Sequence, residues 1–94
     1  MNPKSIQNLS ENENVRLLKA LAHPTRLQIL RLIHEQHPCV KRMEKILGIA
    51  QPNLSQHLSL LRNLNIVEAE RTGNQVCYRI KNPMVLKVMH VLSN

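Results

Sequence analysis

Gln51, Asn53, Ser55, Gln56 and Ser59 fall close together in the chain, and each is a short amide or hydroxyl. Such side chains bond base edges and phosphate oxygens in a DNA major groove, because they donate and accept within the reach of one hydrogen bond. The cations Lys41, Arg42 and Lys45 precede them, and Arg71 and Asn74 follow, groups suited to phosphate or minor-groove contact. The plain alternative for this polar run is a solvated helix face. A second constellation is the pair Cys39 and Cys77, whose thiols are open to oxidation or persulfidation. No Ser/His/Asp grouping, Gly-rich phosphate loop or pair of catalytic carboxylates can be assembled, which reads against an enzyme.

Composition narrows the partner. The 94 residues hold 13 Lys+Arg against 6 Asp+Glu, a formal charge of +7, and no acid follows Glu70 while Arg71, Arg79, Lys81 and Lys87 do. Such an excess suits nucleic acid, anionic lipid, an acidic protein or simple solubility. Tyr78 is the sole aromatic residue. Binders of single strands stack bases on aromatic platforms, so the duplex is the better fit. A 43% hydrophobic content is that of a globular domain. No apolar run approaches the ~18 residues of a membrane span, and Met1 to Ser10 lacks the apolar segment of a secretory signal. Two cysteines without such a signal point to the cytoplasm. A domain this small buries only about 60% of the surface its unfolded chain exposes, so part of its stability is expected from a partner subunit.

The elements that must position these groups are mainly α. Residues 1–10 read as a flexible arm and 11–94 as one domain. Ser10 to Glu13 has the form of a capping box and opens a helix to about Ala22, with Val15, Leu18, Leu21 and Ala22 at helical spacing. Pro24 opens a second helix to about Gln36, apolar nearly all round and therefore central. Cys39-Val40 forms a short extended piece, and a third helix runs from about Lys41 to Leu47, with Gly48 as its C-cap. Across Gly48, Ile49 and Ala50 a fourth helix runs to about Asn63, with Leu54, Leu58 and Leu61 facing the core and Gln56, Ser59 and Asn63 facing away. Two short helices across a tight turn make a helix-turn-helix. Ile66–Arg71 and Gln75–Ile80 then form a β-hairpin, Val67 and Ala69 sharing one face and Val76, Tyr78 and Ile80 the inward face of the second strand. Asn82-Pro83 opens a last helix to about Leu92. Met43, Met84 and Met89 read as gap-filling apolar residues, and His23 and His57 as packing or capping residues.

This order is that of a winged helix-turn-helix with one added terminal helix, and from Val15 to Leu92 the chain resembles the ArsR/SmtB family of repressors. The resemblance is carried by Leu17-Leu18-Lys19-Ala20-Leu21-Ala22-His23-Pro24-Thr25-Arg26-Leu27, by Leu47-Gly48-Ile49-Ala50-Gln51-Pro52-Asn53-Leu54-Ser55-Gln56-His57-Leu58, and by the wing Gly73-Asn74-Gln75-Val76-Cys77-Tyr78-Arg79-Ile80. It implies a homodimer joined through the first and last helices, repression at an inverted-repeat operator, and Gln51, Asn53, Ser55 and Gln56 entering the groove on the fourth helix. Ala50 stands where many members of the family place a capping Ser or Thr.

Members of this family often sense metals, but the ligand patterns fit poorly. Where one pattern has two cysteines, His37-Pro38-Cys39-Val40-Lys41-Arg42 keeps the first and puts a cation in place of the second. The last helix offers Asn82 and Met84 where another pattern has ligands, and His90 stands alone. Cys39 with Cys77 or His37 is a weak donor set for a metal, and no metal cofactor is expected. If instead Cys39 pairs across the second wing strand, it and Cys77 are cross-strand neighbours on the outer face. Lys41 and Arg42 then favour the thiolate, and oxidation or persulfidation would alter the wing. Two unrelated small residues are the plain alternative. The candidate functions are therefore a repressor with a thiol switch, a ligand-independent or metal-responsive repressor, and, outside that class, a basic protein-interaction module.

Overall fold

Pro24 pre-sets the first turn of a helix, and His23 caps it by accepting a hydrogen bond at Nδ1 from the Thr25 amide, 3.2 Å away. That helix buries Ile29, Leu30, Leu32 and Ile33 and is the centre of the core. The computed structural model describes residues 12–93 and contains α1 (Asn12–Leu21), α2 (Pro24–Gln36), α3 (Val40–Leu47), α4 (Gln51–Asn63), β1 (Val67–Thr72), β2 (Gln75–Ile80) and α5 (Pro83–Leu92). The expected arm and the Ser10 cap lie outside the described residues. The third helix starts at Val40, one residue before the expected Lys41, with Cys39 as its N-cap.

Around α2 the core gathers Ala20 and Leu21 from α1, Met43 from α3, Leu54, Leu58 and Leu61 from α4, Ile66 and Val67 at the hairpin root, Tyr78 from β2, and Val85 and Met89 from α5. Gly48 ends α3 at φ 64°, a left-handed conformation that a residue without Cβ adopts freely, so that α4 restarts after only three residues. Asn82 caps α5 by accepting the Met84 amide at 2.9 Å. Among the described residues no polar or charged residue is buried, and no helix is long and apolar enough to cross a membrane.

The hairpin pairs Val67 with Ile80, Ala69 with Tyr78 and Arg71 with Val76 on one face, and Glu68 with Arg79 and Glu70 with Cys77 on the other. Its root is closed by the Lys81 amide, which donates to the Ile66 carbonyl at 2.8 Å, and is tied to α4 by the Ile66 amide, which donates to the Leu61 carbonyl at 2.9 Å. Ala69 shares its face with Val67, as the alternation in the sequence indicates; it is exposed, while its cross-strand partner Tyr78 is buried. One expectation is corrected. Met84 fills no gap: its position in the first turn of α5 leaves it half exposed.

Candidate nucleic-acid interface

The interface begins with the burial of Leu54, Leu58 and Leu61, which fixes how α4 is rotated. With that stripe inward, Gln51, Asn53, Gln56 and Ser59 are exposed and Ser55 is half-buried. Gln51 Nε2 donates to Ser55 Oγ at 2.9 Å, one helical turn on. This bond uses a Gln51 donor and a Ser55 acceptor, so the Gln51 Oε1 acceptor and the Ser55 hydroxyl proton are not consumed by it. Ala50 at the N-cap supplies no side-chain hydrogen bond. The Gln51 and Asn53 amides precede the first intrahelical bond, from Leu54 N–H to Ala50 C=O at 3.0 Å, and face the end of the helix that favours anions.

The cations around α4 are placed unequally. Lys41 and Lys45 are exposed on α3. Arg42 is exposed too, but its Nε donates to Gln36 Oε1 at 2.8 Å across the corner between α2 and α3, which leaves only its terminal nitrogens directed elsewhere. Arg71 and Asn74 stand exposed at the far end of the wing. Lys41 from α3, Gln51 from α4, and Asn74 and Gln75 from the wing border one open cleft of about 270 Å³. Two consecutive helices and the wing thus present groups to one opening. Arg42, Lys45, Asn53, Ser55, Gln56, Ser59 and Arg71 lie outside its lining.

Arg79 is part of the basic surplus of the sequence, but its role is different. Its guanidinium bonds the Glu68 carboxylate and lies 3.9 Å from Glu70. The hydrogen bond to Glu68 first, and the two negative charges next, hold it charged even more firmly than usual. The cross-strand register places Glu68 opposite Arg79, so alternating acids on β1 followed by a cation in register on β2 are the sequence signal for this pairing.

Behind the polar face, the His23 and His57 rings meet edge to face with centroids 5.0 Å apart. His57 ionises below the usual imidazole range of about 6.5, through burial first and then through the nearby charges of His23 and Arg26. Half-buried on α4 against the His23 ring, it is placed as a packing residue.

On the opposite edge of β2, Tyr78 N–H donates to the Pro38 carbonyl at 3.0 Å, and Cys39 forms an isolated antiparallel bridge with Cys77. Their Cα atoms are 3.7 Å apart and their sulfurs are joined in a disulfide. The cross-strand neighbourhood expected for this pair is therefore present. Among the described residues no three His, Cys, Asp or Glu side chains gather as a metal site, and His90 is exposed on α5.

A helix-turn-helix, a hairpin wing and a polar recognition face in this order point to one group of regulators. Residues 23–69 match the family model described as bacterial regulatory protein, arsR family. The chain belongs to the ArsR family. Similarity to individual ArsR-family relatives reaches further along the chain than residues 23–69. The biofilm growth-associated repressor of Xylella fastidiosa is 38% identical over 81 residues, 86% of this chain and 71% of that protein. The crystal structure of the transcriptional regulator HlyU from Vibrio vulnificus superposes with a TM-score of 0.84 at 35% identity, covering 99% of this chain and 96% of the other. The homodimeric winged helix-turn-helix DNA-binding domain of a possible ArsR-family regulator from Mycobacterium bovis gives a TM-score of 0.82 at 29% identity, covering 93% and 81%. This ArsR-family chain is a DNA-binding transcriptional regulator of winged helix-turn-helix architecture.

Proposed function

We propose that the protein is a homodimeric repressor that occupies an inverted-repeat operator in duplex DNA. The observation that carries this reading is α4: its leucine stripe is sealed in the core while Gln51, Asn53, Gln56 and Ser59 stand exposed on a helix whose N-terminus opens beside Lys41 and the wing tip. In this reading Gln51, Asn53, Ser55 and Gln56 address base edges, and Ser59 supports them one turn further on. Lys41, Lys45 and the terminal nitrogens of Arg42 neutralise phosphates beside the groove, and Arg71 and Asn74 reach the flanking backbone. The working place of such a regulator is the cytoplasm, and it acts by binding rather than by catalysis.

Dimerisation is supported by large apolar side chains that one subunit leaves exposed. Leu18 on α1 and Val91 and Leu92 on α5 are 55%, 68% and 49% exposed. Large aliphatic side chains on the first and last helices of one small domain gain from burial against a second copy. Two-fold symmetry then presents two α4 helices to two half-sites about one helical turn of DNA apart.

The test is enrichment of duplexes from a random library by the purified full chain, followed by binding at several salt concentrations. The expected result is an inverted repeat bound by two subunits, with log affinity falling steeply and linearly as log salt rises. A flat salt dependence, or no enriched duplex, refutes the reading.

A further inference from the structure

The bond between Cys39 and Cys77 joins residues 38 positions apart, and the loop it closes has a distinctive content. Inside it lie α3, α4, β1 and the wing turn, and with them Lys41, Arg42, Lys45, Gln51, Asn53, Ser55, Gln56, Ser59, Arg71 and Asn74. Every group proposed above to touch DNA belongs to the segment whose two ends this pair holds. Cys39 is the N-cap of α3 and lines the cleft that Lys41, Gln51, Asn74 and Gln75 share. Cys77 sits in the middle of β2, across from Glu70. The link therefore connects the head of the helix-turn-helix to the strand that carries the wing.

Resting on the DNA-binding reading above, we propose that Cys39 and Cys77 are a reversible modification site, a dithiol oxidised by hydroperoxides and reduced by dithiols, and that the bonded state is the tight-binding state. Without the covalent bond, little else holds the wing to α3 at this edge: the backbone hydrogen bond from Tyr78 to Pro38, and the packing of Tyr78 and Val76 against the core. DNA binding needs α4 in the groove and the wing tip on the flanking strand at the same time. A covalent link between the two supports fixes their spacing before DNA arrives, and so reduces the freedom lost on binding. The redox state of the pair is in this way coupled to affinity.

The chemistry balances with ordinary reactants. Cys39, at the head of a helix and followed by Lys41 and Arg42, is the attacking thiolate. Its sulfur takes the distal oxygen of a hydroperoxide, the O–O bond breaks, and the alkoxide or hydroxide leaving group picks up a proton, which leaves Cys39 as a sulfenic acid. The Cys77 sulfur then attacks the Cys39 sulfur, the S–O bond breaks, and hydroxide leaves as water with the Cys77 proton. In sum, two thiols give up two electrons and two protons while the hydroperoxide becomes an alcohol (water, from hydrogen peroxide) and one water. A dithiol reductant reverses the bond by two thiol-disulfide exchanges and ends as a disulfide itself.

The experiment uses the full-length protein treated with hydrogen peroxide or with dithiothreitol, then freed of reagent, and binding of each form to a duplex enriched from the random library. Intact mass and non-reducing electrophoresis follow the bond. The expected result is an intramolecular disulfide, two hydrogens lighter than the reduced chain, and an affinity about fivefold or more higher than that of the reduced form, within the usual range of coupling between sites. Cys77→Ser and Cys39→Ser, each half-buried and each tested separately so that one folding failure does not end the experiment, are expected to bind like the reduced form under both treatments. Equal affinities of oxidised and reduced protein overturn the proposal, as does a peroxide product linked only between chains. In that outcome a duplex bound with steep salt dependence in both states leaves the DNA-binding reading standing, whereas no duplex bound in either state removes both.

Discussion

The recognition helix and the wing both present polar groups to the same cleft, yet they are held in opposite ways. α4 is anchored along its length by Leu54, Leu58 and Leu61, all buried within one helix, and its outward groups are placed by that burial. In β1 only Val67 is buried, and from Ala69 onward the strand is exposed. Beyond the burial of Tyr78 on β2, the wing is held by pairings: Arg79 with Glu68 and Glu70, Tyr78 with Pro38, and Cys39 with Cys77. A surface fixed by its own buried face is rigid and local. A surface fixed by a few links between distant residues moves when any one of them changes, which makes the wing the natural place for adjustment and α4 the natural place for readout.

Substitutions in the two regions test this contrast. The largest effect is expected from Leu58→Ala, which leaves a cavity under α4 and is expected to cost about 2–5 kcal/mol of stability in urea denaturation, with duplex binding lost in step. If binding falls while stability holds, α4 is not positioned by its buried stripe. Next comes Gln56→Ala. It is expected to weaken binding to the enriched duplex by roughly 10- to 100-fold per half-site while random duplex is bound as before. Arg71→Ala on the wing is expected to do the reverse, weakening both duplexes alike and reducing the salt slope by about 2 per dimer. Matching behaviour of the two variants in competition binding refutes the division between readout and wing.

The smallest effect is a pH dependence. Because His57 ionises below its unfolded value of about 6.5, the folded protein resists taking up that proton. Its contribution to stability is fully present above pH 6.5 and is lost progressively as pH falls from there through the lower folded value. Denaturation midpoints are expected to drop modestly on going from about pH 7.5 to about pH 5.5, and less so in His57→Gln. An identical drop in that variant assigns the dependence to another group.

Much of the helical framework is legible in the sequence because its signals are local. Pro24 and Pro83 at helix starts, Gly48 at a helix end and the three-residue spacing before α4 each act within a turn of the chain, and the leucine spacing of α4 states which face is buried. The wing is legible as a hairpin, but the state of its charges is not: Arg79 is engaged by two acids, and on the neighbouring helix Arg42 is tied back to Gln36. Counting charges treats every cation as free, whereas pairing depends on which side chains end up opposite one another. Residue type likewise gives Met84 a gap-filling role, and its exposed place in the first turn of α5 decides otherwise.

The order of helices, the inward face of α4 and the polar residues on its outward face follow from the residues alone, because burial periodicity and caps are encoded in near neighbours. Only the tertiary structure decided that Cys39 and Cys77 meet, that Lys41, Gln51 and Asn74 border one cleft, and that Arg79 belongs to the wing's own acids. The first two bring the wing to the helices, and they depend on how the hairpin root docks on α2 and α4, which no local pattern specifies; the third depends on the cross-strand register of the hairpin.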